Sequence, residues 1–305
     1  MALRALYDVP APAKLNLFLH VIGRRPDGYH LLQSVFVPID WCDTLHLDLR
    51  DDGRLVRHDL GDPLPPDDLC LRAARALQTA SGTPLGVDIS ILKRVPSGAG
   101  MGGGSSDAAS TLLALNRLWG LRWSLDRLSA MALHLGADVP FFLGPGPALV
   151  EGIGERLTPI VMEPGWFAVI KPPATLETRA IFQSPLLSMG DALDAADILE
   201  GFAEAQSQHR DEAAGRTSTQ GGGGLYGRND LQAAAEAICP EVQNASRWLQ
   251  GHFGSGRMTG SGSAVFAQAG HGERPVRGLP AQLPGGWTGR MCRSLASHPL
   301  ASWAE

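Results

Sequence analysis

Pro96-Ser97-Gly98-Ala99-Gly100-Met101-Gly102-Gly103-Gly104-Ser105-Ser106 places five glycines between two regular segments. Before it, Val87, Ile89 and Ile91 alternate with polar residues, which predicts a strand over 86–95. After it, Ser105-Ser106-Asp107 are good helix starters, and Ala108, Leu112, Leu115 and Trp119 mark the apolar face of the helix they open. Glycine lets backbone N–H groups turn inward and approach an anion closely. A helix N-terminus adds unpaired donors and partial positive charge. Strand, glycine-rich loop and helix together read as a phosphate-binding device, with Ser105 or Ser106 available to a phosphate-bound magnesium ion.

Gly98, Gly100 and Gly103 also satisfy G-x-G-x-x-G, the dinucleotide-binding pattern. That pattern belongs after an opening strand and needs an acidic strand end about twenty residues on. Here it falls deep in the chain, and Asp126 at that spacing sits at a helix start. No Gly-Lys-Ser/Thr closes the stretch, so a P-loop is excluded. A nicotinamide-dependent dehydrogenase and a non-catalytic nucleotide-binding module stay open as alternatives at this point.

Working outward, Leu15–Ile22 and Ser34–Ile39 read as strands, and Thr44–Asp48 as another with period two, followed by a turn at Asp51-Asp52-Gly53. Helices are expected over 68–80 and 125–135, the second ending at Gly136. Residues 148–163 and 166–171 read as strands, helices follow near 230–238 and 240–251, and strands near 265–267 and 291–295. The polar, Gly-rich run 206–227 predicts a mobile loop. Strands and helices mix without a βαβ rhythm, which predicts α+β. At 305 residues, two domains are expected, 1–162 carrying the Gly-rich loop and 163–305.

The formal net charge of -5 with scattered Lys and Arg leaves no electrostatic footprint for nucleic acid or an anionic membrane. Cys42, Cys70, Cys239 and Cys292 lie far apart with no C-x-x-C pair, which argues against structural zinc and a disulfide framework. The opening MALRALYDVPAPAKLNLFLHV is broken by prolines and a lysine and reads as neither signal peptide nor membrane span. A cytoplasmic enzyme is expected, a monomer or weak homodimer, with a small-molecule substrate.

Two further segments stand in order around the central loop. Pro12-Ala13-Lys14-Leu15-Asn16-Leu17 precedes it and Met258-Thr259-Gly260-Ser261-Gly262-Ser263-Ala264-Val265 follows. Together they resemble the three motifs of the galactokinase, homoserine kinase, mevalonate kinase and phosphomevalonate kinase superfamily. Arg25-Pro26-Asp27-Gly28-Tyr29-His30, Gly136-Ala137-Asp138-Val139-Pro140-Phe141-Phe142, Glu151-Gly152-Ile153-Gly154-Glu155 and Asn229-Asp230-Leu231 are similar to its diphosphocytidyl-methylerythritol kinase branch. The resemblance implies transfer of the ATP γ-phosphate to the C2 hydroxyl of a cytidine diphosphate methylerythritol acceptor. It also implies a ribosomal-protein S5 domain 2-like N-terminal domain and a ferredoxin-like C-terminal domain with the active site in the cleft between them. Another member, acting on mevalonate, homoserine or a sugar, is the enzyme alternative.

By the same resemblance Asp138 is the catalytic base and Lys14 the catalytic lysine, and residues Pro96 to Ser106 bind ATP with Mg2+ held in part by Ser106. A carboxylate suits the deprotonation of a tertiary alcohol, and an ammonium can hold that carboxylate ionised. Read alone, Asp138 equally suits the cap of a short helical turn before Pro140, and Lys14 a strand-end lysine reaching solvent. Asn16, Tyr29, His30 and Phe182 line up with cytidine-recognising positions, and Thr178, Thr259, Gly260, Ser261 and Gly262 with substrate contacts. Asp68 stands where an Asn near adenine is usual in that branch. An ionised Asp only accepts hydrogen bonds, so the adenine contact changes there.

Overall fold

The computed structural model describes residues 3–213 and 225–304. Six strands build the first sheet: β1 (Ala5–Arg24), β2 (His30–Arg50), β3 (Leu55–Asp59), β4 (Gly86–Leu92), β5 (Ala148–Gly152) and β6 (Arg156–Pro159). The path runs β3-β4-β2-β5-β6, and β1 pairs along the length of β2. All pairs are antiparallel except β3 with β4, which α1 (Leu69–Ser81) connects. Helices α2 (Gly103–Leu118) and α3 (Leu125–Leu135) complete this part.

A second sheet, in the order β10-β7-β9-β8, is wholly antiparallel: β7 (Gly165–Lys171), β8 (Arg257–Met258), β9 (Val265–His271) and β10 (Thr288–Arg293). Between β7 and β8 lie α4 (Thr178–Phe182), α5 (Ala195–Ala213), α6 (Gln232–Ile238) and α7 (Pro240–Phe253).

Three apolar clusters hold these layers together. The first packs Leu45, Leu47 and Ile89 of the first sheet against Leu77, Leu112 and Leu115 of the helices. The second joins the two sheets, with Leu15, Val37 and Ile39 meeting Phe167, Val169 and Phe266. The third seats Val242 and Leu249 of α7 under Ile170 and Val265. Burial of each such side chain contributes about 1.5–3 kcal/mol. The second cluster explains why the inner strands read as apolar runs: β1 and β2 are covered on both faces where the sheets meet.

The α+β expectation holds, as do the helices around Leu77, Leu128 and Val242. Four local expectations do not. The strands expected at 34–39 and 44–48 are one strand, because β2 keeps pairing with β1 on both sides of a bulge at Asp40 and Trp41. The long strand expected at 148–163 is a hairpin, turned by Gly152 and Gly154 at positive φ. The helix α2 begins at Gly103, ahead of the serines, with Gly102 in the left-handed region as its cap. Finally, the loop expected from residue 206 is helical through Ala213, since α5 is rich in Ala and Glu and seats Ile198 and Phe202 one turn apart in the core. The rest of that loop, 214–224, lies outside the described residues. Among those described, no helix is long and apolar enough to cross a membrane.

Candidate active site

The three motifs that lie far apart in sequence meet through backbone hydrogen bonds. Lys14 N–H donates to Met101 O (2.9 Å), Ser263 N–H to Gly98 O (3.1 Å) and Ala264 N–H to Ala99 O (3.2 Å). The approach is close enough that side chains are excluded. A Cβ on Gly100, whose φ is +69°, would stand 2.3 Å from Thr259 O, and one on Gly260 would stand 2.6 Å from Gly100 O. Glycine at these two positions is required by both the backbone conformation and the contact. The first hydrogen bond of α2 is Ser106 N–H to Gly102 O (2.9 Å), so the amides of its first turn precede any intrahelical partner.

Two cavities share Gly100 and Gly102. One, of about 840 Å³, is lined by Lys14, Asn16, Tyr29, His30, Asp138, Thr178, Phe182, Gly260 and Ser261. Most of the residues anticipated for the acceptor therefore converge on it, drawn from β1, β2, α4, the 136–139 turn and the third motif. Gly262 stands next to it in the chain but does not line it. The other, of about 380 Å³, is lined by Pro96 to Gly104 together with Asp68, Lys93 and Asp107. Ser105 and Ser106 do not line it, and Ser106 Oγ is buried without a partner.

In the larger cavity Lys14, 3% exposed, points its ammonium at Asp138 (Nζ to Oδ2 3.6 Å) and donates to Asn16 Oδ1. The Phe36 ring lies 4.4 Å from the same nitrogen. Burial pulls the Lys14 pKa below its ordinary value, and the Asp138 charge opposes that pull. Asp138 precedes a 3-10 turn (Pro140–Leu143) whose cap, Val139, makes no side-chain capping bond. The capping role thus falls away for Asp138, and so does a solvent-reaching role for Lys14. Asn16 donates from Nδ2 to Ser34 Oγ (3.1 Å), and its N–H donates to Thr259 Oγ1 (2.8 Å), which ties Thr259 to the first motif. Thr178 and Ser261 share a hydroxyl hydrogen bond of 2.8 Å.

At the outer end of this cavity His30 and Phe182 stack with ring centroids 4.9 Å apart and 23° between planes, while Tyr29 is 60% exposed beside them. Burial, helped by the Arg24 charge, lowers the His30 pKa, so the ring is neutral near pH 7.

Beside the smaller cavity the sequence reading missed a buried ionic group. Lys93 Nζ contacts Asp43 and lies 2.5 Å from Asp107 Oδ2. Asp43 also accepts the backbone N–H groups of Arg94 (2.5 Å) and Val95 (2.8 Å), where β4 runs into the Gly-rich loop. Burial raises the Asp107 carboxyl, against the opposing charge of Lys93. Lys93 gave a sequence signal only as a lysine following an apolar strand, and Asp107 only as a helix starter. Asp68 caps α1, accepting from the N–H groups of Cys70 and Leu71 (3.2 Å each), and pairs with Arg57 at 2.7 Å. Asp68 lines the cavity, with its carboxylate already engaged by these partners.

Asn229, read from the sequence only as part of a matching motif, has a structural role. Its amide donates to Met258 O (2.7 Å) and Gly260 O (2.9 Å), so the Asn229-Asp230-Leu231 motif fixes the third Gly-rich turn.

The sequence and the fold match those of known proteins. Residues 68–146 match the model of the GHMP kinases N-terminal domain. Over its full length the chain is 61% identical to 4-diphosphocytidyl-2-C-methyl-D-erythritol kinase of Methylibium petroleiphilum, covering 100% of both chains. The chain belongs to this kinase family. The 4-diphosphocytidyl-2-C-methyl-D-erythritol kinase of Albidiferax ferrireducens is 56% identical, with 99% of this chain and 96% of the relative covered. A crystal structure of a 4-(cytidine 5'-diphospho)-2C-methyl-D-erythritol kinase superposes with a TM-score of 0.69 at 36% identity, covering 85% of this chain and 89% of that one. The α+β architecture described above is therefore the GHMP kinase fold, and the chain is an ATP-dependent kinase.

Proposed function

We propose that this kinase transfers the γ-phosphate of ATP to the 2-hydroxyl of 4-diphosphocytidyl-2-C-methyl-D-erythritol, giving the 2-phosphate and ADP in non-mevalonate isoprenoid precursor synthesis. The observation that carries the reading is the Lys14–Asp138 pair, set in an aromatic-ended cavity that shares Gly100 and Gly102 with the cavity along the Gly-rich loop. The full-length relatives supply the acceptor.

Asp138 is the base that accepts the proton of the attacking hydroxyl. Lys14, 3.6 Å from it, stabilises charge as the phosphoryl group moves. Since phosphoryl transfer needs positioning and charge stabilisation more than covalent chemistry, one base and one cation suffice at the acceptor end. His30 and Phe182, with Tyr29, take the cytosine face, and the amide of Asn16 adds polar recognition. Thr178, Gly260 and Ser261, with the adjoining Gly262, border the acceptor. Pro96 to Ser106 cradle the triphosphate through loop and helix amides. Asp68 lies near the base as a shaping residue.

Magnesium enters with ATP. Among the described residues no group of three or more His, Cys, Asp or Glu could cage a metal ion. The orphaned Ser106 Oγ at the start of α2 fits a single protein ligand to an ion otherwise carried by phosphate oxygens. Bound there, the ion would neutralise phosphate charge.

The chain divides into domains at 162/163, in support of which the sheet changes between Pro159 and Gly165. The reading takes the first as S5 domain 2-like, the second as ferredoxin-like and the cleft between them as the active site. It acts in the cytoplasm as a monomer or weak homodimer on a small molecule, with neither nucleic acid nor membrane as partner. The test is incubation with ATP, Mg2+ and the cytidine acceptor, with mevalonate and homoserine in parallel, following product mass. A monophosphate from the cytidine acceptor alone supports the reading. Turnover of another acceptor instead overturns the cytidine pocket.

A further inference from the structure

The larger cavity holds more positive charge than its carboxylates neutralise. Lys14 faces Asp138, and the remaining lining carboxylate, Asp27, pairs with Arg25 at 2.7 Å. Arg24 and Arg179 also line the cavity, and neither has a carboxylate partner among the described residues. Among the described residues, Arg24 makes one side-chain hydrogen bond, from Nε to Gly28 O (3.2 Å), and Arg179 makes none.

Their placement relative to the aromatic stack is fixed by secondary structure. Arg24 lies opposite His30 in the antiparallel register of β1 and β2. Arg179 precedes Phe182 by three residues in α4, which puts both on one helical face. Guanidinium, imidazole, phenyl and guanidinium thus border one mouth of the cavity. The Arg24 charge already acts on its neighbour, adding to burial in lowering the His30 pKa.

From this geometry we infer that Arg24 and Arg179 form an anion clamp that holds the diphosphate of the nucleotide-linked acceptor while its base lies on the His30–Phe182 stack. This rests on the acceptor reading above. The guanidinium fork matches phosphate oxygens in a way a carboxylate-saturated lysine cannot. The ATP phosphates are the weaker candidates for these side chains, since the cavity along the Gly-rich loop is lined by neither arginine.

The experiment is competition against the acceptor by cytidine, CMP and CDP, in the wild type, Arg24→Ala, Arg179→Ala and the double variant. Each substitution is expected to raise the acceptor KM and the CDP inhibition constant roughly tenfold, the size of one charge-assisted contact. In the double variant the advantage of CDP over cytidine collapses, the cytidine constant and the ATP KM hold, and Arg→Lys at either position recovers only part of the loss. A CDP advantage that survives in the double variant overturns the clamp and leaves the acceptor reading standing. A rise in the ATP KM in place of the acceptor KM assigns the arginines to ATP and also overturns it. If neither cytidine nor CDP competes in the wild type, the acceptor reading itself fails.

Discussion

Two lysines face carboxylates beside the Gly-rich loop, Lys14 buried and Lys93 half-buried, and they are held in opposite ways. Lys14 faces one partly exposed carboxylate at 3.6 Å and an amide, and its pKa falls because desolvation outweighs the single charge. Lys93 is desolvated too, but Asp107 and Asp43 together outweigh that and raise its pKa. Lys93 is bracketed by two carboxylates, of which Asp43 also accepts two backbone N–H groups while Asp107 Oδ1 has no partner, and the trio pins the end of β4 to the start of α2. A pair left long, with one carboxylate open to a cavity, retains capacity for a substrate hydroxyl. Charge burial alone does not separate the two pairs; the number of carboxylates around each ammonium does.

Substitutions at the two lysines separate these roles. Asp138→Ala and Lys14→Met are expected to lower kcat by about a thousandfold or more, while leaving unfolding free energy within about 1 kcal/mol of wild type. Steady-state kinetics with chemical denaturation would check both numbers. A fully active Asp138→Ala would remove the contrast altogether. Lys93→Met should do the reverse in kind, costing about 3–5 kcal/mol of stability because Asp43 and Asp107 remain buried without their cation. A melting temperature unchanged in Lys93→Met would show that the trio is not the joint described.

The alkaline range sharpens the comparison through opposite signs. The folded Lys14 pKa lies below 10.5, so the unfolded chain binds more protons there and this group adds stability as pH rises through that window. Lys93, raised in the folded state, contributes stability that is complete below 10.5 and lost as pH climbs through its folded value. Activity should fall with the deprotonation of Lys14 at a pH below the ordinary lysine range, and Lys14→Arg should move that limb upward. A limb that stays in place in Lys14→Arg would assign it to another group. The smallest effect expected belongs to the aromatic end: His30→Ala should raise the acceptor KM about tenfold with little change in kcat, as loss of a stacking face requires.

Much of this site was legible beforehand because glycine and helix-start chemistry are local. The loop at 98–104, the helix after it, and Lys14 set in an apolar strand all carry their physical reason within a few residues. Asp43 and Lys93 carried none, since a carboxylate and an ammonium fifty residues apart become a pair only when β2 and β4 align. Arg24 and Arg179 were silent for the same reason, being ordinary exposed arginines until β1, β2 and α4 border one cavity.

Residue chemistry along the chain determined the phosphate loop, the α+β class, most helix positions and which side chains are chemically able to act. Tertiary structure alone decided that β2 runs from His30 to Arg50, that Gly100 and Gly260 interlock, and that Lys14 meets one carboxylate while Lys93 meets two. Period and propensity are short-range properties, whereas desolvation and charge pairing depend on which distant groups the packed sheets bring within a few ångströms of each other.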